Sequence, residues 1–259
     1  MVKNLSIIGR LGNKTNDIKF FCMFFPDVTK IKNIIEPFGG SYAVSKYFYK
    51  NNKNLNYYVN DNDECLCSIY KNPEEYINIL NDADNCYDEL KKNNNIVDGK
   101  KVIQYIENKN YDDKMTKYFK DSKLIKGAMY KRPKNNDYSY DLNFMKIINF
   151  YNDDWEKFIK HYLYNNQNFI FLDPPYLFSN NSSYMSQRMD GKNGSSDNTD
   201  MIYKIYEIFI NKKIKSKIMF IINDMKILRW LFKDFIKGEY EKIYQIGKRK
   251  EKHLIITNY

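Results

Sequence analysis

Short apolar runs that stop on a carboxylate or its amide restrict this chain more than any other feature. Lys32-Asn33-Ile34-Ile35 leads into Glu36, Asn56-Tyr57-Tyr58-Val59 into Asn60, and Asn168-Phe169-Ile170-Phe171-Leu172 into Asp173. A fourth run, Lys217-Ile218-Met219-Phe220-Ile221-Ile222, stops at Asn223-Asp224, and a fifth, His253-Leu254-Ile255-Ile256-Thr257, lies near the C-terminal end of the sequence. Unbroken apolar segments of this length read as strands buried on both faces, which is the habit of parallel sheets. Polar groups at their C-terminal ends are what an open α/β sheet needs, because its ligands sit beyond those ends.

Helical patterns fill the spaces between the runs. Ser41 to Tyr49 follows the first, and Asp200 to Ile210 repeats apolar residues at helical spacing, with Asn198, Thr199 or Asp200 available as its N-cap. Strand alternating with helix predicts an α/β, doubly wound layer structure. From about Pro73 to Gln167 the sequence interleaves acidic and basic residues with helical periodicity and offers no convincing buried strand, so this region reads as a mostly helical insert. The expected organisation is a catalytic part over residues 1–75, the insert over 76–159, and the second catalytic part over 160–259. The segment from Ser179 to Asn198 reads as a polar, glycine-bearing loop.

Charge narrows the partner. Lys and Arg number 42 against 32 Asp and Glu, a formal +10 at pH 7, which favours a polyanion such as nucleic acid, although a lysine-rich surface also simply solubilises. Cys22, Cys65, Cys67 and Cys86 lack paired C-x-x-C spacing and a histidine cluster, so they read as reduced thiols and no metal site is expected. No run approaches the roughly 18 apolar residues of a membrane span, and a soluble, intracellular protein is expected. The excess of Asn, Lys, Ile and Tyr suggests an AT-rich gene, as in some viruses and parasites.

The sharpest chemical signal is Asp173-Pro174-Pro175-Tyr176, set directly after an apolar strand. An exocyclic amine on a nucleic-acid base is a poor nucleophile because its lone pair is delocalised into the ring. A carboxylate and a backbone carbonyl that accept its two hydrogens favour pyramidal nitrogen and release that lone pair. Asp173 and the Pro174 carbonyl have this chemistry, with Pro175 stiffening the corner. Tyr176 would stack on a base removed from its helix, worth roughly 1–3 kcal/mol. The bland alternative is a strand ending in a proline turn with an incidental tyrosine; the position directly after Phe169-Ile170-Phe171-Leu172 favours the chemical reading, because that chemistry demands a strand end.

With that motif the chain resembles the Dam-like adenine-N6 DNA methyltransferases of the DPPY type, over about residues 5–75 and 160–259. Gly12-Asn13-Lys14 is similar to the family's GGK turn, whose lysine lies near the cofactor. Glu36-Pro37-Phe38-Gly39-Gly40 looks like the family's EPFxGxG, where glycines let the backbone approach S-adenosyl-L-methionine. Tyr42 departs from the pattern by standing where the second glycine belongs, and a bulky side chain there is expected to crowd the cofactor. Asp61, about 20 residues past the glycine turn, is the preferred ribose ligand, and Asp63 the weaker candidate. The C-terminal His253-Leu254-Ile255-Ile256-Thr257-Asn258-Tyr259 is close to the family's LLITNY.

The resemblance implies a Rossmann-like S-adenosylmethionine-dependent methyltransferase fold, a helical insert that reads the target, and transfer to adenine N6 in double-stranded DNA. Catalysis would rest on Asp173, Pro174, Pro175 and Tyr176. Cofactor contacts would come from Lys14, Glu36, Pro37, Phe38, Gly39, Gly40, Asp61 and Asp173, and nucleic-acid contacts from Lys131, Arg132, Lys248, Arg249 and Lys250. Two rival readings are an RNA base methyltransferase with the same site and a silent nucleic-acid-binding subunit that has lost the cofactor through Tyr42. His161 and His253 have no partners evident in the sequence and read as packing or surface residues; Trp155 and Trp230 read as core.

Overall fold

The computed structural model describes residues 7–8, 14–52, 54–93, 97–124, 138–176, 178–180, 195–243 and 250–259. In chain order, the α-helices are α1 (Ile18–Phe21), α2 (Ala43–Asn51), α3 (Glu64–Lys71), α4 (Pro73–Asn93), α5 (Gly99–Glu107), α6 (Asp113–Leu124), α7 (Ser139–Met145), α8 (Trp155–Lys160), α9 (Thr199–Ile210) and α10 (Lys226–Leu231). The strands are β1 (Asn33–Glu36), β2 (Asn56–Asn60), β3 (Ile148–Tyr151), β4 (Asn168–Leu172), β5 (Phe178–Asn180), β6 (Ser195–Asp197), β7 (Lys217–Asn223), β8 (Ile236–Ile243) and β9 (Lys250–Thr257).

Contacts divide the chain into two units. One comprises residues 12–62, 148–182 and 193–259, and the other residues 1–11, 63–147 and 183–192. The first unit carries a seven-stranded sheet in the order β3-β2-β1-β4-β7-β9-β8. The strands from β3 to β7 run parallel, while β9 lies antiparallel to both β7 and β8. Strand order therefore reverses between β1 and β4, the topological switch point beyond which open α/β sheets place their ligands. This is a Rossmann-like fold.

Alternation along each strand builds a core on both faces of the sheet. Ile35, Ile170, Leu172, Ile218, Phe220, Ile222, Leu254 and Ile256 pack with Phe158 and Ile159 of α8, Ile202, Ile205 and Phe209 of α9, and Leu228 of α10. The opposite face is aromatic. Phe169 meets Phe25 and Phe48 with ring centroids 5.6 and 5.7 Å apart, and Phe171 stacks on Phe21 at 5.6 Å. Strand β4 is buried along its whole length. It stops at Asp173 because the two prolines that follow have no N–H to continue the ladder.

Four strands depart from the sequence reading. β5 and β6, three residues each, pair antiparallel at the two ends of the segment read as a loop. β3 lies inside the region read as strandless, and residues 148–159 belong with the sheet rather than with a 76–159 insert. It is an edge strand of four residues, none fully buried, so it carries no apolar run to betray it. β8 is the opposite edge, with charged residues and Gly238 at an irregularity in its pairing.

The second unit, among its described residues, is helical. Tyr76 of α4 meets Tyr118 of α6 edge to face at 5.8 Å, within a core that includes Leu66, Ile79, Val102, Ile106, Phe119 and Phe144. Helix α4 opens on Pro73 with Glu74 and Glu75 in its first turn and closes on Lys91 and Lys92, the charge order its dipole favours. The Ile7 amide donates to Asp141 Oδ2 at 2.8 Å, which ties the N-terminal segment to this unit. No helix among the described residues is long and apolar enough to cross a membrane.

Candidate active site

Parallel pairing of β1 with β2 and β4 brings the C-terminal ends of three strands together, and with them Glu36, Asn60, Asp61 and Asp173. Between β1 and α2 the chain turns through Gly39 and Gly40. The Gly39 amide donates to the Asn60 carbonyl at 2.7 Å, an approach so close that a β-carbon on Gly39 would lie 2.3 Å from Val59 Cγ1. Gly40 has φ 51°, which suits glycine. Its amide donates to Asp61 Oδ2 at 2.8 Å, so the carboxylate at the end of β2 holds the turn.

Tyr42, two residues on, also has a left-handed backbone at φ 45°, which explains why a glycine would suit this position. Its side chain is fully buried. Asn60 braces the same corner from below: its Nδ2 donates to the carbonyls of Pro37 and Asp153, and its Oδ1 accepts from the Asp153 amide. Phe38 leans on Trp155, with ring centroids 5.5 Å apart.

Glu36 is buried, and its Oε1 accepts the Ser45 amide at 2.7 Å near the start of α2. Burial is the larger effect and outweighs these bonds, and the charge of Asp173 adds to it, so the carboxyl is pushed up to about 7. Lys14, itself buried, pairs its ammonium with Asp173 Oδ1 at 2.7 Å. The carboxylate of the Asp-Pro-Pro-Tyr corner is thus held by a cation from a segment 159 residues earlier in the chain.

Tyr176 is gripped at both ends. Its hydroxyl is hydrogen-bonded to His253 Nε2 at 2.7 Å, and its carbonyl accepts Asn198 Nδ2 at 2.6 Å. Asn198 occupies the N-cap position of α9 but spends its side chain on Tyr176 instead of capping the helix.

The model of the D12 class N6 adenine-specific DNA methyltransferases matches residues 11–251. The chain belongs to this family. It is therefore an enzyme that methylates the N6 amino group of adenine in DNA, and the methyl donor of such methyltransferases is S-adenosyl-L-methionine. No curated protein matches the chain in sequence. Among solved structures, it is similar to the delta-N METTL16 MTase domain, with a TM-score of 0.42 and 10% identity over 97% of this chain and 84% of that one.

Several sequence expectations need adjustment in this methyltransferase. Asp63 is the N-cap of α3, accepting the amides of Cys65 and Leu66, and belongs to the helical unit. His253 has a partner after all, in Tyr176. Trp230 is 70% exposed and is not core. Lys250 lies on β9 and pairs with Glu241 at 3.2 Å, an exposed cross-strand pair of the kind worth little to stability. Gly12, Asn13, Lys131, Arg132, Lys248 and Arg249 lie outside the described residues.

Sequence reasoning missed the clamps made by Asn60, Asn198 and His253. The asparagines carry no pattern that separates them from turn residues. His253 had one usable signal, a titratable side chain inside an apolar strand run.

Proposed function

We propose that methyl transfer takes place beyond the ends of β1 and β4, on an adenine rotated out of double-stranded DNA. Asp173 and the Pro174 carbonyl accept the two N6 hydrogens, which draws the nitrogen lone pair out of conjugation and aims it at the donor methyl. Pro175 stiffens the corner, and the ring of Tyr176 stacks on the displaced base. Lys14 fixes the position of the Asp173 carboxylate through their 2.7 Å pair.

S-adenosyl-L-methionine supplies a sulfonium methyl that is already activated, so the protein's task is to orient and to stabilise. The residues present fit that cofactor. A glycine turn in left-handed conformation follows β1 at the switch point, flanked by carboxylates from β1, β2 and β4. Lys14, Glu36, Pro37, Phe38, Gly39, Gly40 and Asp61 would hold it, with Glu36 and Asp61 shaping the turn that the cofactor meets.

The helical unit is the part we assign to target recognition. Its exposed Lys100 and Lys101 suit phosphate contacts, which position a protein on DNA without reading sequence. An intracellular setting accords with four free cysteines.

The observation that carries this reading is the position of Asp173-Pro174-Pro175-Tyr176 at the point where strand order reverses. Tritiated methyl transfer from S-adenosylmethionine to unmethylated duplex DNA and to RNA tests it. Duplex DNA is expected to be the substrate. Asp173→Asn is expected to lower the rate by about 10²–10³, the usual loss for one preorganised polar contact, with calorimetric affinity for the cofactor within a few-fold of wild type. Full turnover by the variant, or transfer to RNA alone, would refute the assignment.

A further inference from the structure

We propose that His253 is a positioning residue for methyl transfer, anchoring the Tyr176 hydroxyl so that the tyrosine ring stands ready for the incoming base. The proposal rests on the reading in which Tyr176 stacks on that base.

The geometry gives the imidazole no freedom. His253 lies on β9 between two strands, paired in register with Asn223 of β7 and Tyr240 of β8. Its side chain is completely buried. One face stacks on Tyr240 at 5.0 Å and an interplanar angle of 16°. Tyr240 in turn stacks on Phe20 at 5.4 Å, and it packs against Phe21 at 5.9 Å. The hydrogen bond to Tyr176 therefore connects the catalytic corner to the rigid, antiparallel side of the sheet.

The charge state suits an anchor. Burial lowers the imidazole to about 4, with Lys14 and Lys242 adding to that effect and the Glu251 backbone opposing it. Lys242 is engaged with Asp17 at 2.6 Å, and Lys14 with Asp173. At neutral pH the ring is uncharged and bonds the hydroxyl without introducing a second cation near Asp173.

An aromatic ring on a proline corner can rotate about its side-chain bonds even when its backbone is fixed. A flipped adenine gains its stacking contact only if the ring already stands in place, since ordering it at the moment of binding costs conformational entropy. Asn198 fixes the backbone end of Tyr176 and His253 its far end. The restraint on the backbone carbonyl, from the N-cap of α9, and the restraint on the hydroxyl, from β9, together fix the direction in which the ring projects.

The test compares two substitutions of similar polarity. In His253→Gln the terminal amide reaches the place of Nε2, whereas the shorter amide of His253→Asn does not. Maximal methyl-transfer rates on unmethylated plasmid DNA and calorimetric affinities for S-adenosylmethionine are measured for both, and again in a Tyr176→Phe background. The Asn variant is expected to lose about 2- to 10-fold in kcat, the usual range for one hydrogen bond, with cofactor affinity within twofold. The Gln variant should retain at least half the wild-type rate. In the Tyr176→Phe background the two should turn over equally, because the bond they distinguish is already gone.

Equal losses for Gln and Asn in the wild-type background, or an undiminished Asn penalty in the Phe background, would overturn the proposal and leave His253 a packing residue. Tyr176→Ala separates the two layers of the argument. Full activity of that variant would defeat base stacking itself, while a crippled Tyr176→Ala beside a fully active His253→Asn would defeat only the anchor.

Discussion

Glu36→Gln isolates the cost of ionising a carboxyl buried at the end of β1. In the unfolded chain this group titrates near 4.5, whereas in the folded protein burial raises it to about 7. The folded state therefore keeps a proton that the unfolded state releases between these values. Its stabilising contribution is complete below pH 4.5 and is lost as pH rises through 7. A shift of this size corresponds to about 3 kcal/mol at 1.36 kcal/mol per pH unit, and the near-complete burial of the group leaves little solvent screening to reduce it. Glutamine resembles the protonated carboxyl, since its Oε1 can accept the Ser45 amide that Glu36 accepts at 2.7 Å.

The variant should therefore match wild type to within about 1 kcal/mol at pH 5 and exceed it by about 3 kcal/mol at pH 8. For a domain of this size that corresponds to a rise in Tm of roughly 6–12 °C at pH 8. Thermal melts by circular dichroism at the two pH values, without S-adenosylmethionine, measure it. Asp173→Asn should shrink the gain, because the Asp173 charge adds to the Glu36 shift. A stability difference that does not change with pH, or a less stable variant at pH 8, would mean that Glu36 ionises against a partner in the fold and would refute the reasoning.

Two further substitutions probe the turn after β1. Gly39→Ala places a β-carbon 2.3 Å from Val59 Cγ1 and 3.0 Å from the Asn60 carbonyl oxygen, so β2 must move. The expected loss is about 1–3 kcal/mol by urea titration, and unchanged stability would show that the turn yields freely. Tyr42→Gly relieves roughly 1–2 kcal/mol of left-handed backbone strain but removes a fully buried aromatic side chain, which costs about 3–5 kcal/mol. A net loss is expected, and a variant that melts above wild type would show that strain outweighs packing at this position.

The sequence alone determined the parts of this protein whose physics is local or uniform along the chain. β1, β4 and β7 are buried on both faces, so each is an unbroken apolar run, and the polar residue that stops each run marks the ligand side of the sheet. Diproline after β4 ends that strand by its missing donors, and this chemistry is written in four adjacent letters. Edge strands are different. β3 and β8 need only one partner and face solvent, so their sequences follow no apolar rule and were not legible.

Only the tertiary structure decided which distant groups meet. Tyr176 and His253 stand 77 residues apart, and nothing in either segment announces that parallel β4 and antiparallel β9 bring them to one hydrogen bond. Lys14 reaches Asp173 for the same reason, and Trp230 points to solvent because Leu228 of α10 takes the inward position instead. Periodicity specifies which face of an element is apolar. Strand order and register specify what that face meets, and those arise from the packing of the whole sheet.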